Sequence, residues 1–267
     1  STSLINFQTC GESRCLIGSP IGMATTGQLS YGDGSRYWDQ RYLTKVSPDE
    51  WLLTWKQVAD VFETYCGQHR NQWKILHAGC GNSAFTSEMY RAGYERITSI
   101  DNSSAVIAQM QSEFPTLDWC CMDCGEMNFD DGSFDVVIEK GLLDCLACMD
   151  EAKLEMAKCL KEVHRVLKLQ GLFFCTSFNH DRAEHLEDEP WKFRLRESRR
   201  ISAPGGQNSL YVFQKSDSDA LQQWPQLLRD LKLGVTEEDH QLVDQPFVKL
   251  IEADHAVVGD ILQVAET

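Results

Sequence analysis

The chain has 267 residues, with 40 aspartates and glutamates against 25 lysines and arginines, a formal net charge of −15. Its 42% apolar and 24% charged residues describe a globular chain long enough to bury a sizeable core, and exclude a disordered one. The acidic balance argues against a nucleic-acid binder, which needs a dense basic face, and suits a small molecule or a basic protein as partner.

No run of 18 apolar residues is present to span a membrane. The eleven cysteines are an odd number, in a chain too rich in core residues to need stapling. They read as reduced thiols and point to the cytoplasm. Residues 1–34 read as a flexible leader. Met23 has the look of a natural start, which would make 1–22 a leader or a non-native addition.

Tyr37, Trp38 and Tyr42 then place three aromatics in six residues. Ser47, Pro48 and Glu50 predict a helix start, as N-cap, first helical position and the close of a capping box. Behind them Leu52, Trp55, Val58, Ala59 and Phe62 recur at helical spacing until Gly67. From there strand and helix alternate. Strands are expected over 74–78, 96–100, 117–121, 134–139 and 172–178, with helices over 83–92, 103–114 and 150–167. Such alternation implies a parallel sheet covered by helices on both faces. The runs 191–197 and 210–215 have no helix between them and read as a hairpin added at the sheet edge. The expected architecture is α/β, a doubly wound, mainly parallel seven-stranded sheet over 35–216. An N-terminal helix precedes the sheet, and a Gln-rich, acidic C-terminal helical extension follows over 217–267.

Chemistry concentrates at the C-terminal ends of the predicted strands. Gly79 and Gly81 form a Gly-x-Gly turn between the first strand and its helix, where small residues let backbone approach a ligand. Asp101 ends the second strand, twenty residues after Gly81, where a carboxylate can accept from both hydroxyls of a ribose. A nicotinamide dinucleotide and S-adenosyl-L-methionine share those features. Asp123, ending the third strand, favours the second, because a carboxylate there can accept from an adenine amino group and a sulfonium prefers carboxylates and aromatic faces.

These motifs resemble the class I S-adenosylmethionine-dependent methyltransferases, and among them the elongation factor 1-alpha lysine methyltransferases of the methyltransferase-like group. The resemblance rests on the aromatic run from Tyr37 to Tyr42, on the turn from Gly79 to Ser83, and on the strand from Phe134 through Glu139, Lys140 and Gly141 to Leu143 and Asp144. It covers roughly residues 36 to 215 on the usual length of a domain. It implies that Trp38, Tyr42 and Trp51 close over the cofactor and that Gly79 lines its methionine end. Asp101 and Asn102 would meet the ribose, Asp123 and Cys124 the adenine, and Lys140 would lie beside the bound cofactor. Methyltransferases acting on amide or nucleobase nitrogens resemble one another in an Asn/Asp-Pro-Pro-aromatic motif at the fourth strand. Glu139, Lys140, Gly141 and Leu142 stand there instead, which disfavours planar nitrogens as acceptors.

Cys121 and Cys124, with Cys145 and Cys148 about twenty residues on, match the spacing of a structural zinc site. Asp123 inside the first pair and a buried strand between the pairs favour ordinary thiols instead. His77 reads as a satisfied core histidine, and the arginines 194, 196, 199 and 200 as a solvated face. The expected activity is methyl transfer to a lysine of a folded basic protein such as elongation factor 1-alpha. A lysine with a pKa of about 10.4 must first lose a proton, and Glu139 and Asp144 are the candidate proton acceptors. The rival readings are a small-molecule amine methyltransferase and a non-catalytic scaffold that keeps the cofactor pocket for stability.

Overall fold

A computed structural model describes residue 29 and residues 33–44, 49–149, 151–186, 191, 193–203 and 206–216. The expected leader up to residue 28 and the expected appendage over 217–267 lie outside these. In chain order the elements are α1 (Ser35–Thr44), α2 (Trp55–Cys66), β1 (Ile75–Ala78), α3 (Phe85–Arg91), β2 (Ile97–Asp101), α4 (Ser104–Glu113) and β3 (Asp118–Cys121). They continue with β4 (Phe134–Lys140), α5 (Leu142–Leu146), α6 (Ala152–Val166), β5 (Leu167–Ser177), α7 (Arg182–Leu186), β6 (Phe193–Ala203) and β7 (Gly206–Lys215).

The seven strands form one sheet in the order β3-β2-β1-β4-β5-β7-β6. The first five are parallel, and β7 and β6 close the edge as the expected antiparallel hairpin. The chain winds outward from β1 to β3, then returns to place β4 on the other side of β1. That reversal leaves a crevice at the C-terminal ends of β1 and β4, the place where open α/β sheets hold ligands.

The central strands are buried on both faces, so they read as continuous apolar runs whose side chains alternate between two cores. Leu76, Val137 and Phe173 face one core together with Met156, Leu160 and Val163 of α6. Ile75, Val136, Ile138 and Phe174 face the other with Val58, Val61 and Phe62 of α2. Phe62 stacks on Phe174 with ring centroids 4.1 Å apart. Burying a side chain of that size stabilises by roughly 1.5–3 kcal/mol.

The first helix of the expected pattern starts later than its sequence signal. Ser47 and Pro48 lie outside the described residues, Glu50 is not helical, and α2 begins at Trp55 with Thr54 as its N-cap. The capping box is made by Gln57, whose Oε1 accepts from the Thr54 backbone N–H at 2.9 Å. Glu50 is drawn elsewhere. Its Oε1 accepts from the Ala84 backbone N–H at 2.7 Å and from the Ser83 hydroxyl, at the start of α3.

Candidate functional site

The site grows from the glycine turn after β1. Gly79 and Gly81 have φ of +64° and +52°, a region that side-chain-bearing residues rarely enter. Space forbids a side chain as well. A Cβ on Gly79 would lie 3.0 Å from the Leu142 side chain, and one on Gly81 would lie 2.7 Å from the Tyr42 hydroxyl. The turn is tied to β2 by the Cys80 N–H, which donates to the Ile100 carbonyl at 3.0 Å.

Asp101 is the hub of this side. Its Oδ2 accepts from the Gly81 N–H and its Oδ1 from the Ser103 N–H, each at 3.0 Å. Ser103 is the N-cap of α4, its hydroxyl accepting from the Val106 N–H. The carboxylate therefore braces turn and helix together, with a second lone pair on each oxygen left for a ligand. Burial pushes its pKa up to about 6, against the lowering effect of those two N–H groups. Asp123 stands one strand further along, its Oδ1 accepting from the Gly125 N–H at 2.7 Å.

An aromatic roof lies over this floor. Trp38 stacks on Tyr42 at 5.9 Å and meets Trp51 edge-on at 5.8 Å, and the Arg41 guanidinium sits 5.3 Å over the Trp51 ring. The helix that carries the roof, α1, has no fully buried residue and meets the core only through the half-buried Tyr42, which packs against the cluster of Cys80, Val106 and Ile107. Polar anchors hold it as well. Asp39 accepts from the Ser103 hydroxyl at 2.7 Å and from the Ala105 N–H at 3.1 Å, at the positive end of α4. Arg41 pairs with Asp49 at 2.7 Å.

Residues 49–54 then cross the crevice as a pinned strap. Lys140 Nζ donates to the Trp51 carbonyl at 2.8 Å and lies 3.8 Å from Glu50, while Asn208 Nδ2 donates to the Leu52 carbonyl at 2.8 Å. Leu52 is held in the left-handed region at φ 61°. Burial lowers the Lys140 pKa, opposed by the nearby Glu50 and Asp49 charges.

Floor, roof and strap enclose a cleft of about 960 Å³ counting its open mouth. Trp38, Tyr42, Trp51, Gly79, Gly81, Asp101, Asn102, Asp123, Cys124 and Lys140 all line it. Leu142, Leu146 and Met149 add an apolar wall. The charged side chains of the lining are Asp49, Asp101, Asp123 and Glu155 against Lys140 alone, and that cation is already engaged. Asp49 and Glu155 are themselves paired with Arg41 and Lys158, which leaves Asp101 and Asp123 at the strand ends to disfavour a pyrophosphate and favour a cationic ligand.

Glu139 and Asp144 do not line the cleft. Glu139 is buried, with one oxygen accepting from the Leu143 N–H at 3.2 Å. Burial, and next the Asp144 charge, raise its pKa to about 7. Asp144 accepts from the Ser177 hydroxyl and pairs with Arg182 at 2.5 Å, and Arg182 is wholly buried. His77 Nδ1 pairs with the Thr86 hydroxyl at 2.8 Å inside the sheet, and burial lowers its pKa to about 3. Among the described residues no cluster of three or more His, Cys, Asp or Glu side chains is arranged to hold a metal ion. Cys121 and Cys148 hydrogen-bond to the carbonyls of Asn102 and Asp144. On β6 the arginine run lies along the sheet edge, where Arg199 pairs with Asp60 and Glu197.

Asp39 and Asn208 escaped the sequence reading, which gave Glu50 to a capping box. Asp39 carried a signal, a lone carboxylate inside an aromatic run. Asn208 carried none, since its partner lies 156 positions away.

A family described as a methyltransferase domain matches residues 76–175. EEF1A lysine methyltransferase 4 of Bos taurus is 35% identical over 195 residues, covering 67% of this chain and 74% of that protein. The eEF1A lysine and N-terminal methyltransferase of Bos taurus is 32% identical over 171 residues, which cover 60% of this chain and 24% of that longer protein. A solved SAM-dependent methyltransferase from Methanosarcina mazei is similar with a TM-score of 0.48 and 17% identity, over 58% of this chain and 97% of that one.

Proposed function

Since the chain belongs to the class I S-adenosylmethionine-dependent methyltransferases, in the group of the EEF1A lysine methyltransferases, we propose that it methylates a lysine side chain on a folded, basic protein of the elongation factor 1A type in the cytoplasm. The observation that carries the cofactor half of this reading is the cleft lining. Its carboxylates at the ends of β2 and β3, its aromatic roof and its glycine turn suit a cationic nucleoside.

In this reading Asp101 and Asn102 hold the ribose, and Asp123 and Cys124 the adenine. Gly79 and Gly81 let the backbone meet the methionine end, and Lys140 fixes the Trp51 strap beside it. Trp38, Tyr42 and Trp51 exclude water, which strengthens every charge interaction in the cleft. S-adenosylmethionine, when bound, would supply a methyl group activated by its sulfonium charge for transfer to an amine. The protein's part is positioning and desolvation. Glu139 and Asp144 are carboxyl groups buried beneath the crevice, holding the start of α5 and the end of β5 in place.

The acceptor half rests on the relatives' named activity and on the net charge of −15, which favours encounter with a basic surface. The test is turnover of labelled cofactor on cell lysate, then on lysate stripped of small molecules. Label in the protein fraction of both is the expected result. Label confined to small molecules would identify an amine metabolite enzyme, and no label with bound cofactor would identify a scaffold.

A further inference from the structure

Resting on the cofactor half of the reading above, we propose that Asp39 is a positioning residue for the cofactor. It seats the aromatic roof by gripping the same serine, Ser103, that the floor carboxylate Asp101 holds.

Trp38 and Tyr42 line the cleft from α1, and Asp39 lies between them, three positions before Tyr42 and so on the same side of the helix. The height of the roof has little tolerance. A Cβ on Gly81 would lie 2.7 Å from the Tyr42 hydroxyl, so the roof rests close on the glycine turn. Yet α1 is a helix of ten residues, marginal on its own in water, and it has no fully buried residue. Tyr42 packs against the core, and side-chain bonds carry the rest.

The start of α4 supplies the partners for Asp39. A helix start leaves its first N–H groups without carbonyl acceptors. Ser103, the N-cap, satisfies the Val106 N–H with its hydroxyl oxygen at 3.3 Å. Asp39 Oδ1 takes the Ala105 N–H at 3.1 Å and the Ser103 hydroxyl proton at 2.7 Å. The Ser103 N–H goes to Asp101 Oδ1 at 3.0 Å. Each donor of Ser103 therefore serves one carboxylate, the hydroxyl that of the roof and the N–H that of the floor. Two carboxylates at one place repel, and the positive end of α4 offsets the repulsion.

The contacts close on themselves. Asp101 Oδ2 holds the Gly81 N–H at 3.0 Å, and Gly81 is the residue against which Tyr42 rests. A path from Asp39 through Ser103, Asp101 and Gly81 thus returns to α1 at Tyr42. A roof that shifts disturbs Ser103, and with it the carboxylate assigned to the ribose. The strap repeats the same grip at the start of α3, where Glu50 Oε1 takes the Ser83 hydroxyl proton and the Ala84 N–H. The strap is pinned further by Lys140 and Asn208.

The consequence is kinetic. With the grip of Asp39 weakened, α1 lifts from α4 more often. A cofactor beneath the roof then leaves sooner, while its entry is not slowed.

Asp39→Ala should raise the dissociation rate of S-adenosylmethionine, followed by stopped-flow tryptophan fluorescence, by about tenfold or more, the scale of losing hydrogen bonds to a charged group. The association rate should stay within about threefold, and calorimetry should show one site per chain. Asp39→Asn keeps an acceptor oxygen for both donors and should release the cofactor within about threefold of the wild-type rate. Asp39→Ala combined with Ser103→Ala should weaken binding by less than the product of the two single changes. An unchanged dissociation rate in Asp39→Ala overturns the role of Asp39, and so does an equal loss in Asp39→Asn. A fall in association rate or in binding stoichiometry also overturns it, since that marks general damage to the fold. A double loss equal to the product means that the two residues act apart, which breaks the proposed path. Asp101→Ala separates this from the cleft assignment. If Asp101→Ala binds weakly while Asp39→Ala binds as the wild type does, the role of Asp39 fails alone. If Asp101→Ala binds as tightly as the wild type, the cleft assignment fails and the role of Asp39 falls with it.

Discussion

The two sides of the cleft are held by different kinds of bond. On the β2–β3 side the partners are near in sequence: Gly81 and Asp101 are 20 positions apart, and Asp101 and Ser103, like Asp123 and Gly125, only 2. Backbone N–H groups meet carboxylates that still face open space. On the β4–β5–β7 side the partners are remote, Lys140 and Trp51 being 89 positions apart, Asn208 and Leu52 156, and Arg182 and Asp144 38. Several of the polar groups there are sealed inside the protein. One side keeps lone pairs available for a ligand. The other is a wall whose polar groups mostly satisfy one another, so damage there should register as lost stability before lost binding.

The largest effect tests that wall. Arg182→Met strands the buried Asp144 carboxylate, and removing one partner of such a pair costs about 3–5 kcal/mol. Denaturant unfolding should show it, and the double change Arg182→Met with Asp144→Asn should recover part of the loss. A single-variant loss below about 1 kcal/mol would mean that the pair does not hold the wall.

The next effect belongs to the open side. In the proposed reading Asp101→Ala removes a charged acceptor from two ribose hydroxyls, each bond worth roughly 1.5–3 kcal/mol. Calorimetry should show cofactor affinity reduced by at least tenfold, and unchanged affinity would remove Asp101 from the pocket assignment.

Acidity sharpens the contrast further, because stability and binding should move in opposite directions. A folded-state pKa of about 6 for Asp101, above its usual 3.8, means that the native protein binds more protons than the unfolded chain between those values. The stability from this group is fully present below 3.8 and is lost as pH rises through about 6. Cofactor hydrogen bonds need the ionised form, so affinity should fall as pH drops below about 6, approaching tenfold per unit. Titration calorimetry from pH 8 to pH 5 checks this, and Asp101→Asn should flatten the curve.

The smallest effect is a control lying on neither side. Asp60 and Arg199 pair on the exposed surface, with side chains 67% and 39% accessible. Asp60→Asn should change stability by less than about 1 kcal/mol and leave binding untouched.

How legible each side was follows from the same difference. The glycine turn, Asp101 and Asp123 were readable because strand ends, positive-φ glycines and carboxylates recur at short spacings set by the βαβ unit. The sheet was readable because fully buried parallel strands are bounded apolar runs. Glu50 misled, since a capping box and a long-range acceptor need the same residue type, and tertiary contact with Ser83 and Ala84 took it. Helix α1 was missed because it has no fully buried residue and lacks an apolar stripe. Glu139 and Asp144 were read as proton acceptors because a strand end in a parallel sheet favours a site. Only the fold shows Arg182, 38 positions on, meeting Asp144.

The most direct test of the central claim compares methylation of folded elongation factor 1A, a denatured peptide from it and free lysine, each at low and high salt. Screening shortens the Debye length from about 10 Å at 0.1 M to about 3 Å at 1 M. The folded protein should be methylated on lysine and more slowly at high salt, while the peptide and free lysine react poorly at both. Equal rates on all three acceptors, or no response to salt, would contradict a protein surface as the substrate.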